Sequence, residues 1–151
     1  MIRSDRVRRS ARSRTTTRRI AELLSILPRA SPHVLLIGDD PDLTAVFQRI
    51  QPYLRTAIVP WVPDLTSDLP AAPFGTLLVK DVSHLDEGQQ ARLARLAAVP
   101  DIQIVSMTAA PIFPLIAAGA FHDELYYRLN MVTLDLTAYE SRAHSRKGDA
   151  T

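Results

Sequence analysis

Residues 33–46 read HVLLIGDDPDLTAV, and this stretch decides the fold. The apolar run at 33–37 closes on Gly38 and an acidic, proline-bearing turn, the pattern of a short strand buried on both faces. Asp39, Asp40 and Asp42 then stand where a helix begins. Their charge suits the positive end of the helix dipole, and Pro41 fits the first turn. Leu43, Val46 and Ile50 recur at helical spacing, which predicts a helix to about residue 53 with these three on the core. A buried strand leading straight into an amphipathic helix is the repeating element of a parallel sheet.

The same alternation extends in both directions. Downstream, TLLV at 76–79 and IQIVSM at 102–107 read as buried strands, and 131–136 as a last strand. Between them, 85–98 sets Leu93, Leu96 and Ala97 at helical spacing behind Asp86 and Glu87. Four prolines between 56 and 74 leave room for one short strand at 57–59 and an irregular connection. After Pro111 and Pro114 the chain predicts a short apolar helix to 118, a break at Gly119, and an amphipathic segment through Leu129. Upstream, residues 15–17 cap a helix to about 27 that places Ile20, Leu23, Leu24 and Leu27 on one face, with Pro28 and Pro32 ending it. The expected fold is α/β: a three-layer αβα parallel sheet, helices on both faces, right-handed crossovers.

A chain of 151 residues with 46% hydrophobic but only 6% aromatic residues fits one domain with an aliphatic core. It has no cysteine, which excludes disulfides, thiol nucleophiles, zinc ribbons and iron–sulfur clusters. The histidines at 33, 84, 122 and 144 share no short ligand spacing, so no metal site is expected. Residues 1–19 carry eight Arg and one Asp, leaving ten basic and fifteen acidic residues in the remainder, a body at −5. Three segments follow: a disordered Arg-rich leader at 1–19, a core at 20–138 and a polar tail at 139–151. Contact with DNA phosphates is expected only through the leader, which also has the composition of an organelle presequence. No run approaches a membrane span, and the expected compartment is the cytosol.

Residues 108–136, TAAPIFPLIAAGAFHDELYYRLNMVTLDL, contain G-x-F-x-x-[DE]-L-Y-Y-R-L-N as Gly119, Phe121, Glu124 and 125–130. Upstream, GTLLVKDVSHLDEGQQARLARL occupies 75–96. Together they resemble the AAA+ domain of sigma-54 activators, the enhancer-binding proteins, over residues 20–138. The resemblance implies a P-loop NTPase (AAA+) core, ATP and Mg²⁺ as the family's cofactors, and bacterial transcription regulation. It also picks out a nucleotide-binding remnant at Gly38, Thr44, Asp81 and Thr108, and Arg128 at the place of one of two arginine fingers.

The departures fall on the chemistry. A P-loop cradles phosphates with glycine-permitted amides and a lysine in G-x-x-x-x-G-K-[ST]. Here only Gly38 is kept: Leu43 takes the second glycine's place and Thr44 the lysine's. Each nearby carboxylate opposes a phosphate charge 4 Å away by about 4 kcal/mol at an effective dielectric of ~20. Lys80 occupies the Walker B aspartate place and would repel Mg²⁺, Asp81 the glutamate place, Ala109 the sensor asparagine, and His122 the first finger. The G-A-F-T-G-A loop is absent, and no helical lid follows the last strand. The resemblance therefore implies a truncated, non-catalytic pseudo-ATPase with no catalytic residues and weak or no ATP binding. Its expected partners are proteins, AAA+ paralogues among them, with sigma-54 contact disfavoured.

Two other readings stand beside this one. Asp39 and Asp40 after one strand, Asp81 after a second and Thr108 after a third also resemble a receiver domain, a phosphoacceptor signalling module centred on Asp81. Structurally, the three Asp can serve as helix-start acids, Thr108 as a strand-end hydroxyl, and Arg128 as a partner of Glu124 four residues away. Tyr126 and Tyr127 then pack, and Phe121 anchors the Gly119 turn.

Overall fold

The run after His33 forms β1 (Val34–Ile37), and all four of its residues are buried. In the computed structural model, residues 2–65, 68–71 and 73–137 are described, with side chains from Arg14 onward. β1 lies inside a five-stranded parallel sheet with β2 (Ile58–Trp61), β3 (Thr76–Val79), β4 (Gln103–Thr108) and β5 (Val132–Asp135). The strand order is β2-β3-β4-β1-β5. This order removes the receiver alternative, because receiver domains share the doubly wound order 2-1-3-4-5.

Strand alternation divides the core in two. Val34, Leu36, Leu78, Val105, Met107 and Leu134 face one side, where α1 (Ile2–Ala30) contributes Ile20, Leu23 and Leu27 and α2 (Asp40–Ile50) contributes Leu43, Val46 and Ile50. Leu35, Ile37, Leu77, Val79 and Ile104 face the other. That side is covered by α3 (Glu87–Ala97), α4 (Phe113–Ala117) and α5 (Asp123–Leu129), which supply Leu93, Leu115, Leu125 and Leu129. The three layers follow from these two apolar faces.

Several boundaries differ from the sequence expectation, each for a physical reason. The leader expected to be disordered is helical backbone in α1, which begins at Ile2. Residues 2–14 contain no Gly or Pro and six Arg, a good helix former. Among the described side chains, Ile20 is the first buried one. Pro28 lies inside the helix, which stops at Ala30. A proline near the end removes one bond, whereas Pro32 turns the residue before it out of helical geometry. β2 passes through Pro60 because it is an edge strand, paired only with β3. Tyr127 is 68% exposed and does not pack in the core. Phe121, at 3% exposure, does anchor the turn, where Gly119 takes a φ of 76°. The expected tail at 139–151 lies outside the described residues.

Candidate functional site at the carboxyl edge of the sheet

Ligands of open parallel sheets gather at the carboxyl ends of the strands, and Gly38, Lys80, Asp81, Thr108 and Ala109 lie at that edge. The turn from β1 to α2 consists of Gly38 and Asp39 alone. Gly38 donates its amide to the Thr108 carbonyl at 3.0 Å, extending the β1–β4 ladder by one bond. It is buried, and a Cβ there would stand 3.2 Å from the Leu136 side chain. Asp39 caps α2 with its main chain: its carbonyl accepts from Leu43 N–H at 2.9 Å, and its carboxylate makes no cap bond. Asp40 and Asp42 occupy the first turn of α2, as helix-start acids do. Thr44 is exposed on the next turn. A phosphate cradle needs several unpaired amides converging on one point. At this turn the amides of Gly38 and Leu43 already have backbone acceptors.

Beyond β3, Lys80 is exposed and its amide donates to the Trp61 carbonyl at 2.9 Å. Asp81 takes a left-handed backbone, φ 55° and ψ 53°, at the head of a 3-10 turn (Val82–His84). Its companions are Asp64, from the turn after β2, and His84, whose ligand-type atoms all lie within 4.8 Å of one another. His84 Nδ1 and Asp64 Oδ2 are 2.9 Å apart. The hydrogen bond that the imidazole donates to Asp64, helped by the charge of Asp64, opposed by burial and helped again by the charge of Asp81, holds the imidazole pKa above its usual 6.5.

Thr108 is 1% exposed, and its hydroxyl donates to the Ala110 carbonyl at 2.8 Å, closing the end of β4. It is a strand-end hydroxyl. Arg128 braces α5 against α3, donating to the Ala94 carbonyl and to Glu124 Oε1, both at 3.0 Å. His122, at the other finger place, is held by its main chain: its amide donates to Gln90 Oε1 at 2.9 Å. The structure thus joins Gly38 to Thr108, gathers Asp81 with Asp64 and His84, and sets Arg128 in a helix–helix contact.

Sequence reasoning missed Gln90, Asp64 and the buried pair His33 and Gln103. Gln90, 2% exposed, donates to the Leu85 and Ala120 carbonyls, both at 3.0 Å, and so fixes the turn that carries Gly119 and Phe121. A polar residue four positions after the cap acid Asp86 and three before the buried Leu93 was the available signal. Asp64 lies twenty residues from His84 in an irregular connection, and no local pattern points to it.

The family model described as Sigma-54 interaction domain matches residues 64–139, about half of the chain. The sigma54-dependent transcriptional regulator SfnR of Pseudomonas fluorescens is 35% identical over 80 residues, covering 52% of this chain and 21% of SfnR. The pathogenicity locus probable regulatory protein HrpR of Pseudomonas syringae pv. syringae is 30% identical over 81 residues, 45% of this chain and 26% of HrpR. The matches therefore span only 21% and 26% of those two regulators.

Among solved structures, NtrX from Brucella abortus in complex with ATP superposes with a TM-score of 0.67 at 14% identity, over 80% of this chain and 35% of NtrX. The P-loop NTPase domain of a sigma-54 activator from E. coli gives 0.56 at 21% identity, over 71% and 98%. These likenesses establish the P-loop NTPase fold. The sheet order, the segment ending in LYYRLN and the family match converge: the chain belongs to the sigma-54 interaction domain family.

Proposed function

We propose that this protein is a non-catalytic member of its family, linked to bacterial transcription regulation, that works through protein contacts and holds nucleotide weakly or not at all. The observation that carries this is the two-residue turn at Gly38 and Asp39, whose glycine amide is committed to the Thr108 carbonyl at 3.0 Å. A triphosphate at that turn would meet the carboxylates of Asp39 and Asp40, both exposed, and Pro41, which has no amide to donate. Lys80 at the Walker B place and Arg128, held at 3.0 Å by Glu124 and by Ala94, add to it. The favoured partner is a full-length paralogue, because a subunit with this core can dock in a ring without contributing hydrolysis. Sigma-54 itself is disfavoured, since the sequence has no G-A-F-T-G-A loop. DNA contact, if the chain makes it, belongs to the eight Arg of residues 1–19.

Calorimetric titration of the folded protein with Mg-ATP and with ADP tests the reading. The expected result is no saturable heat down to a Kd of ~100 μM, about −5.5 kcal/mol. Tighter binding, or ATP turnover at the rate of an intact activator, overturns it.

A further inference from the structure

The carboxyl ends of β2 and β3 carry a side-chain group of which Asp81 alone belongs to the nucleotide remnant. Asp64 sits in the turn after β2, Asp81 follows Lys80 beyond β3, and His84 ends the 3-10 turn. One oxygen of each carboxylate and one imidazole nitrogen lie within 4.8 Å of one another. His84 Nδ1 and Asp64 Oδ2 share a hydrogen bond at 2.9 Å, and on a tetrahedral ion with bonds of about 2.1 Å they would stand about 3.4 Å apart once the proton leaves.

The main chain that presents these groups is fixed without any ion. Leu65 N–H donates to the Val62 carbonyl at 3.0 Å and closes the turn bearing Asp64. Lys80 N–H to the Trp61 carbonyl ties the end of β3 to the end of β2, and His84 N–H to the Asp81 carbonyl closes the 3-10 turn, both at 2.9 Å. Val82, fully buried, roots that turn in the core. Asp81 heads the turn yet makes no side-chain cap bond, so its carboxylate is not engaged there. Two carboxylates and a neutral imidazole carry a charge of −2, which a divalent cation balances. One nitrogen and two oxygen ligands suit zinc, cobalt or manganese; calcium and magnesium favour oxygen alone.

We propose that Asp64, Asp81 and His84 form a binding site for a divalent transition-metal ion, zinc foremost, with Nδ1 of His84 and one oxygen of each aspartate as ligands. A fourth position stays open to water, as in three-ligand zinc sites. The bound ion clips the turn after β2 to the turn after β3 at the carboxyl edge. The site is independent of the pseudo-ATPase reading, because none of its ligands requires a nucleotide.

The test is titration of the full chain with zinc chloride by calorimetry and with cobalt chloride by visible absorption, with His84 ring signals followed by NMR. The expected result is one saturable site per chain, perturbation of the His84 ring, and a loss of affinity of more than about tenfold in each of His84→Gln, Asp64→Asn and Asp81→Asn. His122 stands 4.0 Å from Glu87 and is the competing surface pair, so His122→Gln is expected to leave affinity unchanged. Circular dichroism confirms that each variant is folded. Absence of saturable zinc binding below ~1 mM (about −4.1 kcal/mol), His84→Gln binding like the parent chain, or loss in His122→Gln instead overturns the proposal.

Discussion

The two ends of the sheet are built differently. At the amino edge, polar side chains are buried and bonded to main chain from distant segments. His33 accepts from Ile104 N–H through Nδ1 at 3.0 Å, which puts its proton on Nε2, facing the Ala97 carbonyl at 2.9 Å. Gln103, fully buried, donates to the Pro32 carbonyl at 2.8 Å and accepts from Arg55 N–H at 3.3 Å. Thr76 donates to the Arg55 carbonyl at 2.7 Å. At the carboxyl edge, where ligands of this fold gather, Asp39, Asp40, Thr44, Lys80 and Ala109 are exposed. There Gly38 N–H and Thr108 bond to close neighbours on the sheet, and buried Gln90 ties α3 to the turn at Ala120 and His122. Burying polar groups is favourable only when every partner is present, so the amino edge specifies the fold, while the carboxyl edge is free to diverge.

The glycines at the two ends break or sharpen that contrast most sharply. A Cβ on Gly75 would lie 2.3 Å from the Thr56 carbonyl oxygen, a main-chain atom that no rotamer change moves aside. Gly75→Ala is expected to destabilise by about 3 kcal/mol. Gly38→Ala meets only the Leu136 side chain, at 3.2 Å, and should cost about 1 kcal/mol or less. Urea unfolding of the two variants measures both, and equal losses would remove the distinction between the ends. Next in size is His33→Leu, which strands the Ile104 amide and the Ala97 carbonyl and is expected to cost about 2–3 kcal/mol. Thr44→Ala, on the exposed face of α2, should stay within about 0.5 kcal/mol.

Arg128→Met separates a brace from a finger. Loss of its bonds to Ala94 and Glu124 should lower stability by about 1 kcal/mol, seen as a drop in Tm of the isolated chain. An unchanged Tm would free Arg128 for a role across a subunit boundary.

A further effect is electrostatic. The folded pKa of His84 lies above its unfolded value, so the pair with Asp64 contributes fully below about pH 6.5 and is lost as pH rises through the folded pKa. Both side chains are more than half exposed, which keeps the contribution under about 1 kcal/mol. Asp64→Asn should flatten this part of the stability profile between neutral and weakly acidic pH. A profile unchanged in Asp64→Asn would place the titrating group elsewhere.

The sequence by itself determined the layers and the family. Val34–Ile37, Thr76–Val79 and Gln103–Thr108 are apolar runs too short for helices, and Leu43, Val46 and Ile50 keep helical spacing, so local periodicity carries the α/β alternation. The string from Gly119 to Asn130 carries the family because its order along the chain is itself the signal. The sequence also placed Arg128 beside Glu124, a contact set by helical geometry alone.

Tertiary structure decided the rest. The strand order excludes a receiver domain, yet the strands of both folds look alike in sequence, because neighbours in a parallel sheet are set by crossovers rather than by the strands themselves. Pro60 lies within a strand only because that strand is an edge. Asp64 meets His84, and His33 meets both Ala97 and Ile104, across separations of 20 to 71 residues. Such contacts leave no periodic trace, because they depend on where the chain returns and not on what stands beside each residue in the sequence.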